Sequence, residues 1–159
     1  LFNENVSLNI SLTINSNTNE DFFHNGKIYF NILNGRANFD SSKFINKDIG
    51  LLELNNSNLL FENNALILNT DILFEIKNQD ALFSYLNTNK KLRKEIRNVL
   101  VNLNYDFLTN QIEFNNIKVN NNEVSRQFLN IAKDFNDNNL NNLVKTRRLL
   151  NKLLSIYEG

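Results

Sequence analysis

The stretch LNNSNLLFENNALILNT, residues 54–70, sets short apolar runs between paired asparagines and decides the fold of the chain. Asparagine tolerates a positive φ, which the central residues of a tight hairpin turn require. Asn55-Asn56 and Asn63-Asn64 are therefore predicted to be two-residue hairpin turns. The apolar runs between them then become neighbouring antiparallel strands of a meandering sheet.

The two predicted turns determine which side chains share a face of this sheet. Leu52 is expected opposite Leu59, and Phe61 opposite Leu66, because side chains alternate between the two faces along a strand. One face is then apolar across successive strands, while the other mixes apolar with polar and charged residues. The apolar face comprises Ile28, Phe30, Ile32, Leu52, Leu54, Leu59, Phe61, Leu66, Leu68, Ile72, Phe74 and Ile76.

Alternation with a period of two predicts more strands in the first part of the chain. Val6–Ile14 alternates apolar residues with Ser, Asn and Thr, which indicates a strand with one buried and one solvated face. A second strand is predicted at Lys27–Leu33 and a third at Arg36–Asp40. The turn between them is expected at Asn34-Gly35.

The same alternation returns at Val99–Phe107. A turn at Thr109-Asn110 then leads into the next strand and is expected to place Phe107 opposite Ile112. Asn115-Asn116 shifts the parity of the apolar residues that follow, which predicts a β-bulge in that strand.

Helical periodicity interrupts the sheet and later closes it. A first helix is predicted at Gln79–Leu86, and a second short helix at the basic stretch Lys90–Arg97. Near the end of the chain, one apolar stripe runs through Val124–Phe135 and another through Leu140–Tyr157. Each stripe has the spacing of a helix with one packed side.

Together these elements predict a mainly β, α+β fold: an antiparallel, meandering, curved β-sheet with a short helical insertion and two C-terminal helices. The chain is expected to be a single domain over residues 1–159, and a fragment of a longer protein. Residues 1–123 form the sheet region with its helical insertion near residues 79–96, and residues 124–159 form the C-terminal helices.

Composition narrows the classes of function. The formal net charge is zero, which gives no electrostatic reason to expect a nucleic-acid partner. There is no cysteine, which excludes disulfides and thiolate chemistry. The 36 asparagines are interpreted mostly as solvated surface. No apolar run approaches the roughly 20 residues that span a bilayer.

No residue pattern indicates a catalytic site, a cofactor site or a metal site. His24 is the only histidine and is expected to be a surface residue, because the sequence pairs it with no base or ligand. Asp134, Asn136 and Asn138 have the first ligand spacings of a calcium loop, but the twelfth position is Lys145 rather than Glu. This segment is interpreted as a connector between helices, and the chain is expected not to be an enzyme.

Two basic runs could approach anionic lipid head groups. They are Lys90–Arg97 and, on the terminal helix, Lys145–Lys152. A solvated helix face is the preferred interpretation of the first run. For the second, the preferred interpretation is long side chains that extend over a packed apolar stripe.

Three segments carry a resemblance to a known family. They are NGKIYFNILNGRANFD, LLELNNSNLLFENNALILNTDILFEIKNQDALFSYL and KEIRNVLVNLNYDFLTNQIEFNNIKVNNNEV. They share a strand repeat of an L-x-x-x-N-G-x-L kind, and they are followed by the closing helices. With the strand–helix–strand step around Asp80–Tyr105, the chain resembles AsmA-like proteins of the bacterial envelope over Gly26–Gly159.

The resemblance implies the C-terminal part of a long, non-enzymatic β-structure, held in the periplasm by an inner-membrane anchor upstream. It implies an apolar groove that carries phospholipid acyl chains between membranes or serves outer-membrane assembly. Phospholipids or other envelope lipids, and envelope assembly proteins, are the expected partners, without a cofactor. The twelve residues of the apolar face are the expected lipid-facing set. The alternative is a structural or protein-binding β-domain, such as a surface or adhesin-like module, without a lipid groove.

Overall fold

A computed structural model describes residue 5 and residues 7–16, 22–136 and 143–157, and these contain nine strands and three helices. The strands are β1 Leu8–Asn15, β2 Asn25–Leu33, β3 Arg36–Asn38, β4 Lys43–Asn46, β5 Gly50–Glu62, β6 Ala65–Ile76, β7 Asn98–Asp106, β8 Gln111–Val119 and β9 Asn122–Glu123. The helices are α1 Gln79–Leu86, α2 Arg126–Ala132 and α3 Leu143–Ile156, with 3-10 turns at Lys90–Leu92 and Lys133–Phe135.

All of these strands join one antiparallel sheet in the order β1-β2-β3-β5-β6-β7-β8-β9. β4 follows β3 in the same position, between β2 and β5. Ser42 bridges the break between them, because its hydroxyl accepts from the Tyr29 amide at 2.9 Å and donates to the Tyr29 carbonyl. The predicted antiparallel α+β class is confirmed.

Asparagine forms most of the tight turns of this sheet. Among the residues described, positive φ angles outside glycine occur at Asn34, Ser41, Asn56, Asn63, Asn64, Asn87, Asn110, Asn120 and Asn121. The predicted turns at Asn34-Gly35 and Asn63-Asn64 are confirmed, and Phe61 lies opposite Leu66. Several asparagines are therefore structural, and not only solvated surface as the composition suggested.

The turn predicted at Asn55-Asn56 is wrong, because these residues form a bulge inside the long strand β5. Leu52 consequently lies opposite Phe74 rather than Leu59, and Leu59 lies opposite Leu68. The left-handed backbone of Asn56, with φ 50°, suits a bulge as well as a turn. The extra residue of the bulge shifts the alternation of β5 by one position. Leu52 and Leu54 before the bulge therefore share one face with Leu59 and Phe61 after it.

The predicted register at the next hairpin is also wrong, since Tyr105 and not Phe107 lies opposite Ile112. β7 ends at Asp106, and four residues rather than two form the turn that follows. The bulge predicted at Asn115-Asn116 is confirmed.

The first helix has the predicted bounds. The Asn78 side chain accepts from the Ala81 amide at its start, and Asn87 ends it with φ 55°. The helix predicted at Lys90–Arg97 is wrong beyond a single 3-10 turn. The chain leaves that turn in an extended conformation because Ile96 is buried and Asn98 already belongs to β7.

The C-terminal helices agree with the predicted stripes in part. Phe128 and Ala132 of α2 are buried, as is Leu153 of α3, whereas Leu149 is buried without having been predicted to belong to the stripe. Val144, which was predicted to lie in the second stripe, is exposed instead. The beginning of that stripe, at Leu140, lies outside the described residues, as does Val6 of the first predicted strand.

The helices pack on one end of the apolar face, which we call the covered half. It includes the ends of β6 and β8 and the beginning of β7, whose side chains join buried clusters with all three helices. These side chains are Phe74, Ile76, Val99, Val101, Phe114, Ile117 and Val119.

The rest of the face, on β1–β5 and on β6 up to Ile72, we call the open half. Its buried cluster is Ile32, Ala37 and Leu59, which packs with side chains of the sheet and of the loop after β3.

Candidate functional site

The register places the predicted apolar side chains on one face. Residues directly opposite each other in an antiparallel pair lie on the same side of the sheet. A continuous row therefore crosses the sheet through Leu8–Ile32, Ile32–Ala37, Ala37–Leu59, Leu59–Leu68 and Leu68–Tyr105. Neighbouring rows through Leu12–Ile28 and Leu54–Ile72 run parallel to it.

The twelve predicted side chains differ in their exposure. Ile32 and Leu59 are only 1% and 6% exposed, so they support the surface rather than line it. Phe74 and Ile76 pack against the cluster of the covered half and belong to the core. Phe61 is 55% exposed. The remaining side chains are half-buried on the open half: Ile28, Phe30, Leu52, Leu54, Leu66, Leu68 and Ile72.

The first strand enlarges this surface in a way that the sequence did not indicate. The prediction of one buried face for this strand is wrong, because all eight residues of β1 are exposed. Leu8, Ile10, Leu12 and Ile14 are 37–55% exposed and adjoin the side chains of β2. Alternation shows that this face is apolar, but it carries no information on whether another element covers it.

The opposite face of the sheet is held by polar side chains that bond one another across strands. The Asp71 carboxylate accepts hydrogen bonds from the side-chain amides of Asn56 and Asn102, each at 2.7 Å. A second series links Asn69 to Asn104 at 2.7 Å and Asn104 to Glu113. These polar groups bind each other across the strands, and the same face also exposes two aliphatic side chains, Leu33 at 62% and Ile45 at 41%.

A cleft of about 570 Å³ lies beside the open half, between the tip of the β2–β3 hairpin and β5. Its lining combines Ala37, Leu59 and Phe61 of the apolar face with residues that alternate with them and lie on the opposite face: Arg36, Asn38, Asn58, Leu60 and Glu62.

The polar candidates of the sequence have structural partners. The His24 ring nitrogen Nδ1 accepts from the Lys47 amide at 3.4 Å. The Asn136 side chain bonds both the amide and the carbonyl of Ile112, and Asp134 pairs with Lys152 at 2.9 Å. Asn138 lies outside the described residues. Two oxygens of the calcium-loop pattern thus hold a helix connector to the sheet and to α3.

The basic runs are partly engaged within the fold. The Arg93 guanidinium lies over the Phe83 ring and its Nε donates to the Thr88 carbonyl, while Arg97 pairs with Glu95 at 2.7 Å. On α3, the Arg147 guanidinium stacks on the Tyr85 ring at 4.4 Å. The interpretation of the second run, as side chains extending over packed residues, fits Arg147.

Asp106 has a titration behaviour that its turn explains. The Leu108 amide and the Thr109 hydroxyl both donate to this carboxylate at 2.8 Å, and they hold its pKa below the usual value of 3.8. The interaction orders the β7–β8 turn.

No group of three His, Cys, Asp or Glu side chains in the described ranges could hold a metal ion. No helix in these ranges is both long and apolar enough to cross a membrane.

No family model matches the chain, and neither a curated protein nor a solved structure does.

Proposed function

We propose that the chain is a non-enzymatic, lipid-handling element of the bacterial envelope of the AsmA-like kind, and that the open half of its apolar face holds phospholipid acyl chains. The observation that carries the proposal is that one continuous apolar face is packed by helices at one end and exposed at the other. The exposed end includes four aliphatic side chains of β1 that are 37–55% accessible to solvent.

The chemistry of this surface suits an acyl chain. Each methylene that leaves water contributes about 0.8 kcal/mol, so a chain of ordinary length gains several kcal/mol from partial cover. Aliphatic and aromatic side chains give a lining without fixed polar anchors, along which a chain can slide. Movement of a lipid along such a lining requires neither proton transfer nor a bound metal.

The cellular setting is part of the same proposal and rests on the resemblance. The sheet is curled, the chain acts in the periplasm, and a segment upstream anchors the protein to the inner membrane. Phospholipids are the cargo, and envelope assembly proteins are further partners.

Two adjacent residues of β6 provide the test. Leu66 lies on the apolar face and Ile67 on the opposite face, and both are half-buried. Binding of a phospholipid with a fluorescent acyl chain would be measured for the unmodified chain, Leu66→Asp and Ile67→Asp. We expect Leu66→Asp to weaken binding at least about tenfold, because a carboxylate is costly against acyl chains. Ile67→Asp should change binding less than about threefold.

A thermal melt of each variant separates loss of binding from loss of folding. Phe61→Asp is the second variant, because Phe61 is 55% exposed and its replacement disturbs the fold little. If folded Leu66→Asp and Phe61→Asp bind lipid as the unmodified chain does, the proposal fails. The chain is then better described as a structural or protein-binding β-domain.

A further inference from the structure

The two edges of the sheet are built differently. β9, at one edge, has only two residues, and one of them is the charged Glu123. β1, at the other edge, has eight residues without charge, proline or bulge. Short strands, charges, prolines and bulges are the features that protect sheet edges from pairing with other chains. β9 carries this protection and β1 does not.

The outer backbone groups of β1 can be identified from two hydrogen bonds. The Ser16 amide donates to the His24 carbonyl, in continuation of the β1–β2 register. Tyr29, opposite Ser11, instead directs its amide to Ser42 on the far side of β2. Since backbone groups alternate in direction along a strand, the outward-facing amides and carbonyls of β1 are those of Asn9, Ser11, Thr13 and Asn15. No strand in the described ranges pairs with them.

The sequence of β1, LNISLTIN, is self-complementary when two copies run antiparallel with Ser11 opposite Ser11. Ile10 then lies opposite Leu12 of the second copy, and Leu8 opposite Ile14. The polar residues also face each other, with Asn9 opposite Thr13. Apolar and polar side chains match throughout, and no like charges meet.

Hydrogen-bond parity agrees with this same register. The outward-facing groups are those of the odd-numbered residues, so Ser11–Ser11 and both Asn9–Thr13 pairs are the hydrogen-bonded ones. They supply about six backbone hydrogen bonds, two for each pair. The even-numbered aliphatic residues occupy the non-hydrogen-bonded pairs, in which side chains approach most closely.

We propose that β1 is a self-association edge, at which two copies of this chain join antiparallel about Ser11 into one continuous sheet. The pairing is isologous, as in most closed dimers. It consumes the unprotected edge and brings the aliphatic rows of both copies together on one face. This inference stands independently of lipid binding, since it depends on the edge of the sheet rather than on its face.

Ser11→Pro is the decisive variant, with Ser11→Ala as its matched control. Proline removes the outward amide of residue 11 in both copies but leaves the inward bonds to β2 intact, a position that edge strands tolerate. Analytical ultracentrifugation over a concentration series would measure the dissociation constant. We expect Ser11→Pro to raise it at least about tenfold, and Ser11→Ala to leave it within about threefold.

The register is tested by introduced cysteines, because the chain has none of its own. Ser11→Cys should form a disulfide-linked dimer under mild oxidation, since the two Cα atoms would lie about 5.5 Å apart, within the range that disulfides span. Asn9→Cys is the control. The Cα atoms of residue 9 in the two copies would be offset by four residues along the strands and would lie about 14 Å apart. Cysteines at this position should therefore not crosslink.

A chain that stays monomeric at about 0.1 mM overturns the proposal, as does a dimer that Ser11→Pro leaves unchanged while circular dichroism shows a folded sheet. Equal crosslinking at both cysteine positions would also overturn it, since this indicates contact without the stated register. Lipid binding that Leu66→Asp leaves unchanged would overturn the proposed function, whereas a dimer that Ser11→Pro weakens would leave this inference standing, so failures of the two proposals are distinguishable.

Discussion

The covered and open halves of the apolar face have the same alternating sequence and belong to the same sheet, yet they meet different surroundings. Ile117 in the covered half is 4% exposed beneath α2 and α3, whereas Leu12 in the open half is 55% exposed. Strand periodicity gives both halves an apolar face. The helices that follow β9 pack only on the covered half. The open half keeps exposed apolar side chains, and exposed apolar patches often mark interaction sites.

The contrast has an energetic side. Burial in the covered half stabilises the fold, because its aliphatic and aromatic side chains leave water on folding. Much of the apolar area of β1 stays in water, so it contributes little to the free energy of unfolding. Buried side chains stabilise the fold in both halves, and the exposed side chains of the open half are the ones to which the proposed binding is assigned.

The largest predicted effect separates the two halves by stability. Phe128→Ala should lower the free energy of unfolding by about 3–5 kcal/mol, since Phe128 is buried in the covered half. Leu12→Ala should lower it by less than about 1 kcal/mol, because Leu12 already meets solvent. Denaturant unfolding of both variants measures the difference. Similar losses would mean that β1 is part of the core, and the distinction between the halves would fail.

A smaller effect compares two asparagine turns, one at each half. The Asn120 side chain accepts from the Arg97 amide at 2.7 Å and donates to the Glu95 carbonyl at 2.8 Å, close to the covered half. Asn120→Gly keeps the positive φ but loses these bonds, and should cost about 1–2 kcal/mol. Asn64→Gly, at the exposed tip of the β5–β6 hairpin, should stay within about 0.5 kcal/mol of the unmodified chain. Thermal unfolding with calorimetry distinguishes them, and equal destabilisation would refute the assignment.

The smallest effect lies in the β7–β8 turn, outside the buried clusters of both halves. The pKa of Asp106 is lowered on folding, so its contribution to stability is present above the unfolded value of 3.8 and is lost as pH falls through the folded pKa. Asp106→Asn should have a slightly lower melting temperature than the unmodified chain at pH 6. This difference should become smaller as the pH is lowered to about 3. A difference that grows on acidification would contradict the assigned hydrogen bonds.

Local rules predicted what depends on neighbouring residues. The turn at Asn63-Asn64, the register of Phe61 with Leu66 and the bounds of α1 follow from turn chemistry, alternation and capping. Asn55-Asn56 was misassigned because a left-handed asparagine serves a bulge as readily as a turn. Phe107 was misplaced because sequence does not distinguish a two-residue from a four-residue connection at that point.

The exposure of the site could not be predicted for a different reason. Whether Leu12 or Ile117 is covered depends on where α2 and α3 pack on the sheet, and these helices are more than a hundred residues from β1 in the sequence. The sequence indicated that both belong to an apolar face, but periodicity is a local property and the docking of a helix is not. Alternation thus correctly predicted that the twelve candidate residues share one face. It did not indicate that Phe74 and Ile76 pack in the core or that β1 extends the open half.

Tryptophan quenching tests the central claim most directly, because the chain contains no tryptophan and each introduced indole reports one position. Leu66→Trp places it on the open half, Ile67→Trp on the opposite face of the sheet and Phe114→Trp in the covered half. Each variant would be titrated with phospholipid carrying bromine on the acyl chains, and with unbrominated lipid as the control. Our account predicts strong quenching for Leu66→Trp alone. Equal quenching at all three positions, or none at Leu66→Trp while lipid is bound, would contradict it.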